Sequence, residues 1–408
     1  MANLTMMDFT IEKYTKQQIR RGLAHYQNID HSEKLHGTDG IKKLMRKLRS
    51  IQYDPLNVVG RNADLALQAR IADYRSEMLE YLLYTEHFLT DGFDKEMCIY
   101  ITEDFERFEN VRQIQAQSAE RTLSYRGQTE ALNILQEVRA FVSANGLTGT
   151  KDISIGEVRE SRWGHKKLSS AALNYLYTKG ELCVAKKIGT QKQFDLTERV
   201  IPKDYFSGFR FMTIEQFLDW YVKRRIAGVG ILWGKRGGAW QGNYLWDNEL
   251  RKSTIARLVE KGELKVIHVE GITEEFYCCE DFLQSLKSER ASDYARFIAP
   301  LDNMIWDRKM TESIFDFSYS WEVYTPVSKR KYGYYVLPVL YNDSFVARFE
   351  AVPVSKNKCF EIKNWWWEKG VLTDEKIINA IMEEMKRFAD LHNVALSSKN
   401  QKQLEVRL

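Results

Sequence analysis

SSAALNYLYTKGELCVAKKI (169–188) and LRKSTIARLVEKGELKVIHV (250–269) are the two stretches from which the fold is read. Each runs from a helical pattern through Lys-Gly-Glu-Leu, at 179–182 and again at 261–264, into a β-rich run. Gly180 and Gly262 stand where a helix has just ended and a positive φ is needed, a conformation glycine adopts without steric cost. LCVAKKI (182–188) and LKVIHV (264–269) then pass through a turn into a second short strand. Each copy also opens with a helical stretch 48 residues before its Lys, ALNILQEVRAFV from 131 and TIEQFLDWYVKRR from 213. Helix, helix, glycine stop and two-stranded wing is the winged-helix pattern. Such a unit serves protein contacts as well as DNA, so the repeat alone leaves DNA contact open for each copy.

Working outward, 10–29 and 38–50 read as amphipathic helices. In the second, Ile41, Leu44, Met45 and Leu48 form the apolar face, and Lys42, Lys43, Arg46, Lys47 and Arg49 the wet one. These helices fit a third, divergent copy, with IQYDPL (51–56) in the step after the second helix. Residues 62–90 and 94–145 read as further helix. From about 295 the period changes to two. WEVYTP (321–326), GYYVLPVLYNDSFVARFEAV (333–352) and CFEIKNWWW (359–367) read as strands, with a hairpin turn at Asn342–Asp343. Thr373 is the expected cap of a helix running to about His392, with Ile377, Ile378, Ile381, Met385 and Phe388 on its apolar face. The last dozen residues are polar and expected to fray. The expectation is an α+β protein in which tandem winged-helix (helix-turn-helix) domains precede a small β-barrel or sandwich and a C-terminal helix. The segments are 1–125, 126–205, 206–292 and 293–408.

At 408 residues, 44% hydrophobic and 28% charged, the chain has the profile of a soluble globular protein. It has no run of 18 apolar residues and no basic-then-apolar leader, so no membrane association and a cytoplasmic location are expected. Its five cysteines are scattered, Cys278 and Cys279 are adjacent rather than spaced as Cys-x-x-Cys, and the seven histidines do not cluster with them. That spacing argues against a disulfide framework and against a zinc or iron–sulfur site. GVG (228–230) and GKRGG (234–238) are only fragments of a Walker loop, and no cofactor is expected. The net charge of +4 decides nothing, but its distribution is uneven: residues 1–70 carry +5 and residues 71–120 carry −8. A basic segment beside an acidic one suggests that only one of them faces an anionic polymer.

The chemistry points to IQYDPLNVVGRNADLALQAR (51–70). Pro55 disfavours helix at Asp54, and in an extended segment Gln52 and Asp54 project to the same side. Their Cα atoms then lie roughly 7 Å apart, which leaves room for a water between the side-chain tips. An amide that both donates and accepts, beside a carboxylate that only accepts, suits the orientation and activation of that water. Gln-x-Asp-Pro is equally an ordinary helix-exit turn. A second cluster, Lys329, Arg330, Lys331, Tyr332, Gly333, Tyr334 and Tyr335, sets three cations beside stackable rings, which suits a nucleic-acid backbone and bases. A lysine-protected edge strand gives the same pattern.

QYDPLNVVGR resembles the Gln-x-Gln/Asp segment of the bacterial winged-helix DNA glycosylases of the AlkZ/YcaQ type, which excise alkylated bases and unhook interstrand crosslinks. APLDNMIWDRKMTESIF (299–315) and VYTPVSKRKYGYYVLPVL (323–340) are similar to a second block of that family. The resemblance spans roughly 10–390. It implies Gln52 and Asp54 as catalytic residues, and Asn57, Arg61, Arg70, Lys43, Lys47, Lys329, Arg330, Lys331, Tyr332, Tyr334 and Arg308 as DNA contacts. It also implies duplex DNA with alkylated or crosslinked bases as the partner, for a monomer associated with the nucleoid. The competing readings are a non-catalytic winged-helix transcriptional regulator, with one preferred sequence and no excision, and a protein-interaction scaffold with no affinity for DNA.

Overall fold

The structure is a computed structural model, and it describes residues 13–156, 167–287, 293–352 and 359–404. Two discontinuous compact bodies emerge where the sequence suggests four consecutive segments. One comprises residues 34–218 with 241–246, and the other takes 1–33, 219–240 and 247–408.

The first body contains the order helix, strand, helix, hairpin twice. Helix Gly37–Leu48 leads into strand Ser50–Gln52, then into short helices Asn62–Gln68 and Ser76–Tyr84 and a hairpin of Leu89–Phe93 with Met97–Ile101. The hairpin's second strand lies in the middle of the three-stranded sheet, against Ser50–Gln52. This corrects the helical reading of 94–145, which begins with β structure. The second unit has helix Leu135–Asn145, a β-bridge from Thr148 to Phe194, helix Leu168–Lys179 and a hairpin of Leu182–Ile188 with Gln191–Leu196. Its core gathers Val138, Val142, Leu173, Leu176, Phe194 and Leu196. Gly180 ends its helix at φ 81°, as the repeat predicts.

The second body holds the third occurrence of the order: helix Ile214–Val229, all but its first turn, strand Ile231–Trp233, helix Asn248–Glu260 and a hairpin of Lys265–Val269 with Glu275–Cys278. Gly262 follows the second helix at φ 72°. Lys13–Tyr14 adds a parallel edge to that sheet, and helix Lys16–Tyr26 packs near helices Glu280–Ser285 and Arg308–Phe315. The two amino-terminal helices therefore do not form one unit: the first serves this body, and the second opens the other.

The C-terminal β region is a correction. Ala295–Phe297, Val336–Tyr341, Ser344–Ala351 and Ile362–Trp367 form an open antiparallel sheet in that order, whose outer strands do not pair with each other. Four strands, one of them three residues long, are too few to close a barrel. Helix Glu375–Leu391 covers the sheet, with Phe388 5.4 Å from Phe297 and 5.0 Å from Phe360. Its cap is Asp374, which accepts the amide of Ile377, rather than Thr373. Asn342 makes the expected hairpin turn at φ 53°. WEVYTP is loop, Ala395–Leu396 forms a short strand, and Lys399–Leu404 forms a helix within the last dozen residues, where fraying is expected. The last four residues lie outside the described residues.

Candidate active site

The Gln-x-Asp motif is set by its strand. Arg49, at φ 67°, turns the chain out of helix Gly37–Leu48, and Gln52 then pairs with Cys98. The amide of Tyr53 reaches the carbonyl of Met97 at 2.9 Å, so the pairing continues one residue past the strand. Two buried polar groups fix this backbone. Asn62 donates to the Gln52 carbonyl at 2.8 Å, and the Ser50 hydroxyl donates to Asp94 at 2.5 Å.

Around that frame the side chains part in character. Gln52 is 8% exposed, and its Oε1 accepts a 2.8 Å bond from Nζ of Lys95, itself 4% exposed. Lys95 sits in the turn of the Leu89–Ile101 hairpin, where the Asp94 amide bonds to the Glu96 carbonyl. Tyr53 lies under the Lys187 ammonium, which is 3.8 Å from its ring centroid. Lys187 in turn forms an ion pair with Asp91, both side chains almost wholly buried. Burial, with the Asp91 charge beside it, pushes the Tyr53 phenol up to about 12. Lys192, opposite Lys187 in the same hairpin, is pushed down to about 8, mainly by burial. Tyr84 and Lys187 also line a cleft of about 550 Å³ whose wall includes Tyr81, Glu77 and Glu80.

Asp54 is half-buried, and its Oδ1 accepts the Leu56 amide at 2.8 Å. This is a local turn bond of the kind Asp makes two residues on. Its other carboxylate oxygen takes no hydrogen bond from the described residues, and so remains able to meet a water or a sugar.

The DNA contacts assigned from the sequence fare differently. Asn57 is exposed, with its side-chain oxygen on the Gly60 amide. Arg61 is held by Asp64 and by Glu80 at 3.2 Å, and Asp64 also accepts the Tyr74 hydroxyl at 2.6 Å. Arg70 is 1% exposed and donates to the Ala66 carbonyl at 2.7 Å, so its guanidinium faces the interior and not a phosphate. Lys43 is exposed and Lys47 half-buried. Their helix neighbours Lys42 and Arg46 are taken by Glu86 at 2.6 Å and Glu103 at 3.2 Å. Part of the acidic stretch thus neutralises the basic helix from within.

In the second body, Lys329 ends a short 3-10 turn and residues 330–335 are a loop leading into strand Val336–Tyr341, so the strand starts three residues later than the sequence reading places it. The buried Glu322 carboxylate accepts the amides of Lys331, Tyr332 and Gly333, and Glu350 accepts that of Tyr334. A Cβ on Gly333 would lie 2.7 Å from the Glu350 carboxyl carbon, so a larger residue there would displace that carboxylate. Lys329 and Lys331 are exposed, Arg330 stands 4.9 Å from the ring of the exposed Tyr334, and Tyr332 packs edge-on to Trp366 with Arg348 over it. Tyr335 is 2% exposed. Arg308 is turned inward, donating to the Pro300 carbonyl and lying 4.5 Å from Tyr319.

The family model for the AlkZ-like DNA glycosylases matches residues 45–391. The chain belongs to that family. It is a DNA repair glycosylase, and the reading as a non-catalytic regulator gives way to an enzyme acting on DNA. Its fold is that of the Streptomyces sahachiroi DNA glycosylase AlkZ, at a TM-score of 0.65 over 94% of this chain and 98% of that one, with 13% identity. Among the described residues of the glycosylase, no helix is long and apolar enough to cross a membrane. Sequence reasoning passed over Lys95, Asp91 and Lys187. The available signal was weak: MCIY (97–100) reads as a short strand, but the Asp-Gly of TDGFDKEMCIY (90–100), a usual turn signal, lies inside strand Leu89–Phe93, and the turn falls at Asp94–Glu96.

Proposed function

We propose that this glycosylase removes N-alkylated bases from duplex DNA by direct hydrolysis, with a water held between Gln52 and Asp54. In this reaction the C1′–N bond breaks, its electron pair leaves with the base, and the water oxygen bonds to C1′ while Asp54 takes its proton. The transition state is oxocarbenium-like, so a carboxylate beside the sugar also stabilises the developing positive charge. An alkylated purine is already cationic and departs neutral, so no general acid is required. The observation that carries the reading is the carboxylate oxygen of Asp54 left open by its turn bond. With no lysine nucleophile in the scheme, the product is an intact abasic strand.

Tyr81 and Tyr84, with Glu77 and Glu80, give the nearby cleft ring faces and negative charge that suit a cationic purine. The approach to Asp54 through Asn57 is exposed, which supports action on bulky adducts, including a base still crosslinked to the other strand. The three helix–strand–helix–hairpin units are read as winged helices, and the glycosylase as a monomer that holds DNA through backbone charge. The loop cations Lys329 and Lys331, the ring of Tyr334, and Lys43 and Asn57 remain the contacts best placed for this. A duplex containing N7-alkylguanine, incubated with the protein and then treated with alkali, tests the proposal. Cleavage at the lesion after alkali, and none before it, is the expected result.

A further inference from the structure

A glutamine amide has two ends of nearly the same shape and opposite hydrogen-bonding sense. Its terminal torsion is broad and two-fold, so an unconstrained Gln52 could present either end to a water. Lys95 removes that choice. An ammonium has three donors and no acceptor, so the end of the amide that faces it must be the oxygen. The contact is 2.8 Å long between two side chains that are 8% and 4% exposed, a charge-assisted bond shielded from water. Turning the amide over would set NH₂ against ammonium, leaving donors opposed in a buried space.

We infer that Lys95 is a positioning residue for the hydrolytic step, fixing Gln52 as a hydrogen-bond donor to the water oxygen and leaving Asp54 as the only proton acceptor. The inference rests on the reading that Gln52 and Asp54 hold the water. Its chemical consequence is definite. The water gives one lone pair to the Gln52 NH₂ and one proton to Asp54, and its second lone pair is free to attack C1′. Were the amide reversed, both motif residues would accept protons and neither would direct a lone pair.

Lys95 is itself anchored to the strand it serves. The Ser50 hydroxyl binds Asp94, the residue before Lys95, from a position two residues ahead of Gln52. Gly242, at φ 108°, lies against the same turn, where a Cβ would come within 2.5 Å of the Asp94 carbonyl oxygen and 3.1 Å of that of Lys95. The turn that carries Lys95 is therefore held in place, and the side chain itself is 4% exposed.

Single-turnover excision by Lys95→Met, Lys95→Arg and Lys95→Gln tests this, alongside Gln52→Ala, Asp54→Asn and Gln52→Ala/Lys95→Met. Lys95→Met is expected to lower the maximal rate by about 10- to 100-fold, the range for a misplaced reacting group, with the half-saturating protein concentration unchanged. Lys95→Arg, again a donor only, should recover most of that loss. Lys95→Gln, which can present either sense, should not. In the Gln52→Ala background the lysine change should have no further effect. If Lys95→Met is as fast as wild type while Gln52→Ala and Asp54→Asn are slow, or if it loses the same factor in both backgrounds, the inference alone is overturned. If Gln52→Ala and Asp54→Asn also keep the full rate, the hydrolytic reading falls with it. Should Lys95→Met unfold, the Arg and Gln variants decide: equal rates for the two overturn the inference.

Discussion

Replacing Asp54 with Asn separates chemistry from folding at the motif. Oδ1 of Asp54 accepts the Leu56 amide at 2.8 Å, and an Asn carbonyl oxygen makes the same turn bond. The half-buried position tolerates an isosteric neutral group, so the change in stability should stay within about 0.5 kcal/mol. In a body of this size that is a shift of roughly 1–2 °C in Tm. The other oxygen, however, becomes NH₂, which can neither take a proton from water nor stabilise a cationic sugar. Loss of a general base costs about 10²- to 10⁴-fold in rate, equivalent to about 2.7–5.4 kcal/mol at 1.36 kcal/mol per decade. Asp54→Ala provides the contrast, since it removes the base and the turn bond together. It should match the Asn variant in rate and lose about 0.5–1.5 kcal/mol more stability. Single-turnover kinetics on an alkylated duplex and thermal melts measure the two quantities. A wild-type rate for Asp54→Asn refutes the assignment of the base, and equal melting losses for the two variants refute the role of the turn bond.

The Asp91–Lys187 pair, with side chains 1% and 6% exposed, should cost about 3–5 kcal/mol when only one partner is removed. Asp91→Asn/Lys187→Met should cost less than the sum of the single changes, and denaturant titration of all three variants measures this. Glu322 is buried, which alone would raise its pKa, but the amides of Lys331, Tyr332 and Gly333 hold it below its ordinary range. A depressed folded pKa contributes stability that is complete above the unfolded value, about 4.3, and is lost as pH falls through the folded one. Melts between pH 3 and 6 should show that acid loss in wild type and a weaker one in Glu322→Gln. Tyr335→Ala should lower Tm with little effect on duplex affinity, and Tyr334→Ala the reverse, read from melts beside binding titrations. A duplex affinity that depends on sequence and resists salt would contradict backbone-directed binding, whose log–log salt slope is about −0.9 per phosphate neutralised.

The repeat was legible because its signals are local. A helix end before Gly180 or Gly262, a short β run and a turn are each written within a few residues. Gln52 and Asp54, the proposed pair, stood out through the resemblance of QYDPLNVVGR, because Gln-x-Asp-Pro alone reads equally as a helix-exit turn. The partners that give the motif its chemistry come from farther away. Lys95 is 43 positions from Gln52, and Lys187 reaches Asp91 across 96. Nothing in either neighbourhood marks a buried lysine, because burial is decided by the packing of segments far apart in sequence. The same limit misled the reading of charge: Lys42 and Arg46 look free in sequence, yet Glu86 and Glu103 meet them in the fold. Arg70 sits in a helix-rich stretch and points inward, which periodicity over so short a helix does not fix. Strand propensity located the C-terminal sheet but carries no information on whether its edges close.

The step from first strand to next helix shows how one architecture supports both packing and chemistry. In the third unit it is GKRGG (234–238), following strand Ile231–Trp233. A Cβ on Gly237 would fall 1.9 Å from the Asp307 carboxylate, and one on Gly238 2.2 Å from the Trp306 carbonyl. Asp307 also accepts the Trp233 indole at 3.4 Å and caps helix Arg308–Phe315 through the Met310 amide at 3.0 Å. There the step is closed by the Asp307 carboxylate on Gly237 and the Trp306 carbonyl on Gly238, and that carboxylate is spent on structure; burial raises the Asp307 pKa despite those bonds. In the first unit the same step is YDPLN (53–57), after strand Ser50–Gln52. Here Tyr53 is held by Met97 and Lys187, Pro55 and Asn57 are exposed, and Asp54 keeps an oxygen for solvent. A fold position therefore does not carry the activity; the side chains and the space left around them do. In this glycosylase the first unit combines an open carboxylate with an amide whose sense a buried lysine dictates, and the third has neither.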